Sequence, residues 1–171
     1  MSPDPQPAPA DPARTFRILV LALVGAVPVI TVAVALVLPA EGTSPDPLTV
    51  GVCVAVVLGA ALAARLIGFR VPTLPAGSDA RNDDAVRRES LNRFQSSTML
   101  RFAVTEAGFI IVLAWTFVAD EGPWPLLVVA LPAAVLILLN CWPSRANVDR
   151  VATALEADGA RSGLRETFGH A

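Results

Sequence analysis

Few residues in this chain combine a reactive type with an unusual setting. The most telling is Glu106, in the string Met99-Leu-Arg-Phe-Ala-Val-Thr-Glu-Ala-Gly108 inside a long apolar run. A carboxyl among apolar side chains must be neutral, paired, or in contact with a wet cavity. Arg101 lies five positions earlier, about 140° round a helix, and so is a poor same-helix partner. Its long stem is expected to snorkel to the headgroups, which a glutamate cannot do. Better partners come from other apolar runs at similar depth, namely Arg65 and Asn140. Thr105 and Gly108 flank the acid and are small enough to admit a close neighbour. Three readings of this polar site stay open. It is a hydrogen bond or ion pair that fixes helix order, a proton- or transport-linked group, or a contact for another membrane subunit.

Other chemistry is thinly represented. Cys53 and Cys141 fall in separate apolar runs that place them near opposite membrane faces, so no disulfide is expected. His170 is the one histidine and stands in a segment expected to fray from Gly169 onward. Two separated cysteines and one histidine argue against a metal site. No phosphate-cradling glycine loop or nucleophile elbow is present. The expectation is therefore no enzyme activity, no cofactor and no metal.

The elements that carry these residues follow from composition. The chain has 171 residues, 54% apolar and only 16% charged, with mean hydropathy +0.59. Too little polar surface is available to cover a soluble domain or to keep the chain disordered. A net charge of −2 excludes the basic footprint of a nucleic-acid binder. A bilayer core about 30 Å thick needs roughly 20 apolar residues in a helix. Four stretches meet that length: 16–38, 48–67, 98–118 and 125–142. The first is longer than a signal-peptide core and follows a Pro-rich lead with acids, so it reads as a retained span. The lead, 1–15, reads as a disordered tail. Glu106 then falls roughly 3–7 Å from the midplane of the third span.

All thirteen basic residues are arginines. They occur before the first span, around the connection between the second and third, and after the fourth. The other two connections hold only Glu41, Asp46, Asp120 and Glu121. The positive-inside rule places both termini and the long connection in the cytoplasm. Trp124 and Trp142 bracket the fourth span as interfacial anchors, and Trp115 is a third candidate. Pro28 and Pro132 each remove a backbone hydrogen bond within a span and predict local kinks.

The second span reads Gly51-x3-Ala55-x3-Gly59-x3-Ala63. Small residues at every fourth position let two helix backbones approach in lipid. The stripe fits a dimer seam, but a neighbouring span of the same chain is the favoured contact, because a four-helix bundle already gives each helix neighbours.

In the long connection, Pro72 and Pro75 predict extended or turned chain, and Asn82 predicts a helix cap. The helix then leads into the third span, with a bend at Gln95-Ser-Ser-Thr98 as one alternative. Arg87, Arg88 and Arg93 suit either anionic lipid or a solvated face shared with Glu89. After the fourth span, Ser144 predicts another cap. Val148, Val151, Ala152 and Leu155 make one helix face, ended by Gly159. That face packs on the loop helix, lies on the membrane or receives a partner.

Two resemblances attach to these motifs. The string RFAVTEAGFIIVLAWTF resembles the carboxylate-bearing helix of the ATP synthase proton ring subunit, which implies proton carriage by Glu106. The likeness covers one helix; the ring subunit is a two-span hairpin with a dense glycine repeat, which this four-span chain lacks. The whole-chain pattern is similar to small four-span membrane proteins of actinobacteria and related bacteria, with an arginine and a glutamate early in the third span. That likeness implies a membrane location and no particular activity.

The sequence thus predicts an all-α integral membrane four-helix bundle over 16–142, with a cytoplasmic helical loop. A C-terminal amphipathic helix and tail fill 143–171. The expected role is that of a small accessory or structural protein of the bacterial cytoplasmic membrane. The expected partners are the lipid bilayer and either further copies of the chain or a larger membrane complex, not nucleic acid. The alternative is a proton- or ion-linked component centred on Glu106.

Overall fold

The computed structural model describes residues 11–38, 46–118 and 122–170. The first ten residues of the Pro-rich lead, and the acids Glu41, Asp120 and Glu121, lie outside the described residues. The fold is all-α, built from α1 (Pro12–Val37), α2 (Pro47–Ile67), α3 (Asp84–Val118), α4 (Trp124–Cys141), α5 (Arg145–Leu155) and α6 (Leu164–Thr167). Four of these helices are long and apolar enough to cross a membrane, and their outward faces are apolar too. Leu36, Leu48, Leu131 and Val118 are among the exposed large side chains. Such an exterior is stable only where lipid replaces water.

Local chemistry starts each helix. Asp11 and Asp46 accept from the backbone N–H of Ala13 and Thr49, and each is followed by proline, whose fixed φ suits the first helical position. Asp83 Oδ1 accepts from Ala85 N at 2.7 Å, so the cap of α3 is Asp83 rather than Asn82. Helix α3 runs unbroken through residues 95–98. At 1.5 Å per residue its 35 residues span about 52 Å, so about 20 Å stands beyond a 30 Å core.

The bundle is not a square of four equal helices. Helix α4 is central, packed by α1, α2 and α3, while α2 and α3 also pack on each other. Gly108 sets that last approach. A Cβ there would lie 2.7 Å from Ala60 Cβ and 3.2 Å from the Val57 Cα. Among the described residues, α1 packs against no other span to a comparable extent. It buries Val20, Val27 and Val34.

The arginine-bearing end carries a compact cap. The 68–83 connection, the protruding part of α3, α5 and α6 enclose Leu74, Val148, Val151, Leu155, Leu164 and Phe168, all buried. The apolar face of α5 is therefore spent inside the cap. Backbone bonds stitch the connection to the C-terminal segment: Leu74 N to Leu155 O at 2.9 Å, Ala80 N to Arg161 O at 2.9 Å, and Arg161 N to Ser78 O at 2.8 Å. Phe16 of α1, Phe94 of α3 and Phe168 form an aromatic cluster with centroids 4.9–6.0 Å apart.

Two boundaries differ from the sequence reading. Helix α5 ends at Leu155, before Gly159, which turns the chain with φ +83°. The end, expected to fray from Gly169, is tied down as far as its last described residue. Phe168 is buried, and the His170 backbone N–H reaches Arg165 O at 2.7 Å. His170 Nε2, in the tautomer protonated there, donates to the Pro143 carbonyl at 3.2 Å.

Candidate functional site

The polar side of α3 faces inward. Ser90, Ser97, Thr98, Arg101, Thr105 and Thr116 are all buried, and they fall along one face of the helix. In lipid this reversal of the soluble pattern is expected, because polar groups find partners only within the bundle.

Three of the residues singled out from the sequence meet at one point. Arg65 Nε donates to Asn140 Oδ1 at 2.9 Å. Asn140 Nδ2 donates to Thr105 Oγ1 at 3.1 Å and, more weakly, to the Ala61 carbonyl at 3.4 Å. Thr105 Oγ1 donates in turn to the Arg101 carbonyl at 2.8 Å. The result is a directional chain in which each donor finds an acceptor. It joins α2, α4 and α3 within the last turns of α2 and α4. Asn140 is 2% exposed and its two donated bonds are buried, whereas its bond from the exposed Arg65 is part-buried.

Glu106 is not part of this chain. It is half-buried and forms no hydrogen bond or ion pair among the described residues. Thr105 points into the bundle, and the next position turns about 100° away. Gly108, which faces α2, lies about 160° round from Glu106. The acid therefore sits on the flank of α3 opposite α2, in line with Phe102 and Leu113. Arg65 and Asn140, its expected partners, are bonded to each other instead.

Arg101 does not snorkel. It is fully buried and is the largest fully buried side chain among the described residues. Its Nη2 donates to Thr98 Oγ1 at 2.8 Å, and its Nε makes a longer bond to the Ser97 carbonyl at 3.3 Å. The guanidinium carbon lies 4.2 Å from the centroid of Phe69, while Nη1 has no partner. The stem crosses the backbone at Gly68, where a Cβ would collide with Arg101 Cγ and lie 2.9 Å from its Cδ. A side chain folded back along its own helix onto a glycine turn is held away from the headgroups by packing.

The small-residue stripe of α2 also differs from the favoured reading. Gly51, Ala55 and Gly59 are exposed and Ala63 is half-buried. A Cβ added at Gly51 or Gly59 would meet nothing within 4 Å. The intramolecular face of α2 is instead Cys53, Val57, Ala61 and Ala64, one position or two away round the helix. Both cysteines are buried, and neither forms a disulfide.

Sequence reasoning missed Gly68, Phe69, Ser97 and Thr98 as the surroundings of Arg101. Their signal was present in part, since Ser97 and Thr98 stand at i−4 and i−3 from Arg101. It also missed Asn147, whose Nδ2 donates to the carbonyls of Trp142 at 2.8 Å and Leu139 at 3.0 Å, closing the end of α4.

In the cap, Arg165 bridges Asp149 at 2.9 Å and Glu156 at 2.6 Å, while Arg81 pairs with Glu166 at 2.9 Å. Burial alone would raise the Glu156 carboxyl. Hydrogen bonds from Arg165 and Ser162 outweigh it and hold the group below the ordinary carboxylate range. The hydrogen bond from Arg81 lowers Glu166 in the same direction.

These features define a multi-pass helical membrane protein with an internal polar clasp. The chain matches no family model, no curated protein and no solved structure.

Proposed function

We propose that the protein is a structural or accessory component of the bacterial cytoplasmic membrane, with both termini and the cap in the cytoplasm. The observation that carries this reading is the clasp of Arg65, Asn140 and Thr105. It consumes the convergent polar groups of three spans in fixed hydrogen bonds and contains no group that exchanges protons near neutral pH. Such a network orders helices and offers no carrier. The arginines support the orientation, because all thirteen belong to one end of the bundle. The outward stripe of α2 supports association with another copy of the chain or a membrane partner, since a Cβ at Gly51 or Gly59 would meet no described atom within 4 Å.

A second reading, a proton- or ion-linked component, is favoured by one observation: Glu106 has no hydrogen-bond or ion-pair partner among the described residues. One experiment separates the two. In proteoliposomes, the structural role gives no proton flux above empty vesicles with either wild type or Glu106→Gln. In detergent, Asn140→Ala then unfolds more easily, by about 1–2 kcal/mol. A wild-type flux abolished by Glu106→Gln in a folded protein would replace the first reading with the second. Association is read separately. Gly59→Leu is expected to reduce the particle mass in mild detergent without lowering thermal stability, and an unchanged mass removes α2 as the associating face.

A further inference from the structure

At the membrane edge of the arginine-bearing end, the turn after α2 and the start of the third span enclose a cavity of about 190 Å³. Gly68, Val71 and Pro72 form one wall, Ser96, Ser97 and Leu100 the other, and Arg70 and Arg93 close it. Two of these groups are unspent. The Arg70 guanidinium and the Ser96 hydroxyl are exposed and form no hydrogen bond or ion pair among the described residues. Arg93 is held in place by Glu89 at 2.7 Å and by the Pro72 and Thr73 carbonyls, each at 2.9 Å. Those bonds use Nε and Nη1, and leave Nη2 available.

A second observation stands behind the wall. Gly68 and Ser97, which line the cavity, are the residues that Arg101 packs against. Arg101 is completely buried, its Nη1 is unpartnered, and no carboxylate pairs with it among the described residues. Arg150 lies on the same Phe69 ring at 5.3 Å and is also without an ion pair. Four guanidiniums therefore surround this turn, and among the described residues Glu89 is the one acid bonded to any of them. A buried cation is costly unless an anion offsets it, and the adjoining cavity is the place from which one would act. Leu66, Ile67 and Leu100 nearby are exposed and apolar, a surface that suits the acyl chains of a lipid whose headgroup enters the cavity.

We propose that this cavity binds a phosphate group, presented by an anionic phospholipid. Arg70 and Arg93 would clamp its oxygens, Ser96 would donate one further hydrogen bond, and Arg101 would add field from behind the wall. Inorganic phosphate carries the same chemistry, so the test treats the two sources separately.

The full chain in detergent would be titrated with short-chain phosphatidylglycerol, short-chain phosphatidylcholine or sodium phosphate at matched ionic strength, following the melting temperature. Phosphatidylglycerol is expected to raise it at concentrations where phosphatidylcholine does not, with Arg70→Gln weakening the apparent affinity roughly tenfold. Ser96→Leu, which fills the cavity while leaving every arginine in place, is expected to abolish the shift. A response to inorganic phosphate with the same loss in both variants supports the site with free phosphate as its ligand. Equal responses to the two lipids, no response to either anion, or an unchanged response in the two variants would overturn the proposal.

Discussion

At the scale of single residues, the third span holds two ionisable groups with opposite fates. Arg101 is enclosed and Glu106 stays on an open flank, although they are five positions apart. The difference comes from their neighbours. Gly68 has no side chain, so the Arg101 stem passes through the space a Cβ would fill. Gly68→Ala should displace the guanidinium and destabilise the fold by about 1–3 kcal/mol, read from unfolding in mixed micelles. Gly51→Ala, on the open face of α2, is the contrasting substitution and should not lower stability, because no neighbour meets its Cβ and alanine is the better helix former. The sequence made the polar content of this region legible but not its pairing. Arg65, Asn140 and Thr105 were recognisable as residues at one depth, whereas their mutual bonding depends on the rotation of α3. That rotation is fixed by Gly108 against α2, and although Gly108 and the α3 hydroxyls mark the inward face, which helix lies against it depends on a long-range contact.

Among the elements, α3 and the cap teach the most. The length of each span was readable, because apolar run length is imposed by the bilayer. The face each span turns inward was less so. The stripe at Gly51, Ala55, Gly59 and Ala63 looked like the intramolecular contact, yet α2 packs through Cys53, Val57, Ala61 and Ala64. With apolar residues all round, periodicity cannot choose between faces; on α3 the buried hydroxyls would have chosen correctly. The fate of α5 was similarly open, because its narrow face acquires partners only when the 68–83 connection folds against it. The cap also carries a pH prediction. Glu156 and Glu166 have folded carboxyls held below their unfolded range, so their stabilising contribution is complete above the ordinary glutamate value, about pH 4.3, and is lost as pH falls through the lower folded values. Amide exchange of residues 152–168 should therefore speed up at pH 3 relative to pH 6 after correction for intrinsic rates. Equal protection at both pH values would remove these ion pairs from the cap's stability.

For the molecule as a whole, the four spans divide into a tightly packed trio and an outlying α1. The trio of α2, α3 and α4 is held by the clasp and by the close approach at Gly108, while α1 is tied on by α4 and by the aromatic cluster at the cap. This division predicts unequal cooperativity. Phe16→Ala should loosen α1 and the end of the chain together, raising proteolysis near both, while leaving the Arg65–Asn140 bond intact. A uniform loss of stability across all four spans would contradict it.

The placement of α1 has a consequence for biosynthesis. Its partner α4 begins at residue 124, so a ribosome must translate more than eighty residues beyond Val37 before α1 meets its neighbour. During that interval α1 stands alone among lipids. Its side chains from Ile18 to Val37 carry no charge, and its one hydroxyl, on Thr31, is bonded back to the Val27 carbonyl, which lets it wait there without an unpaired side-chain polar group to recruit the wrong helix.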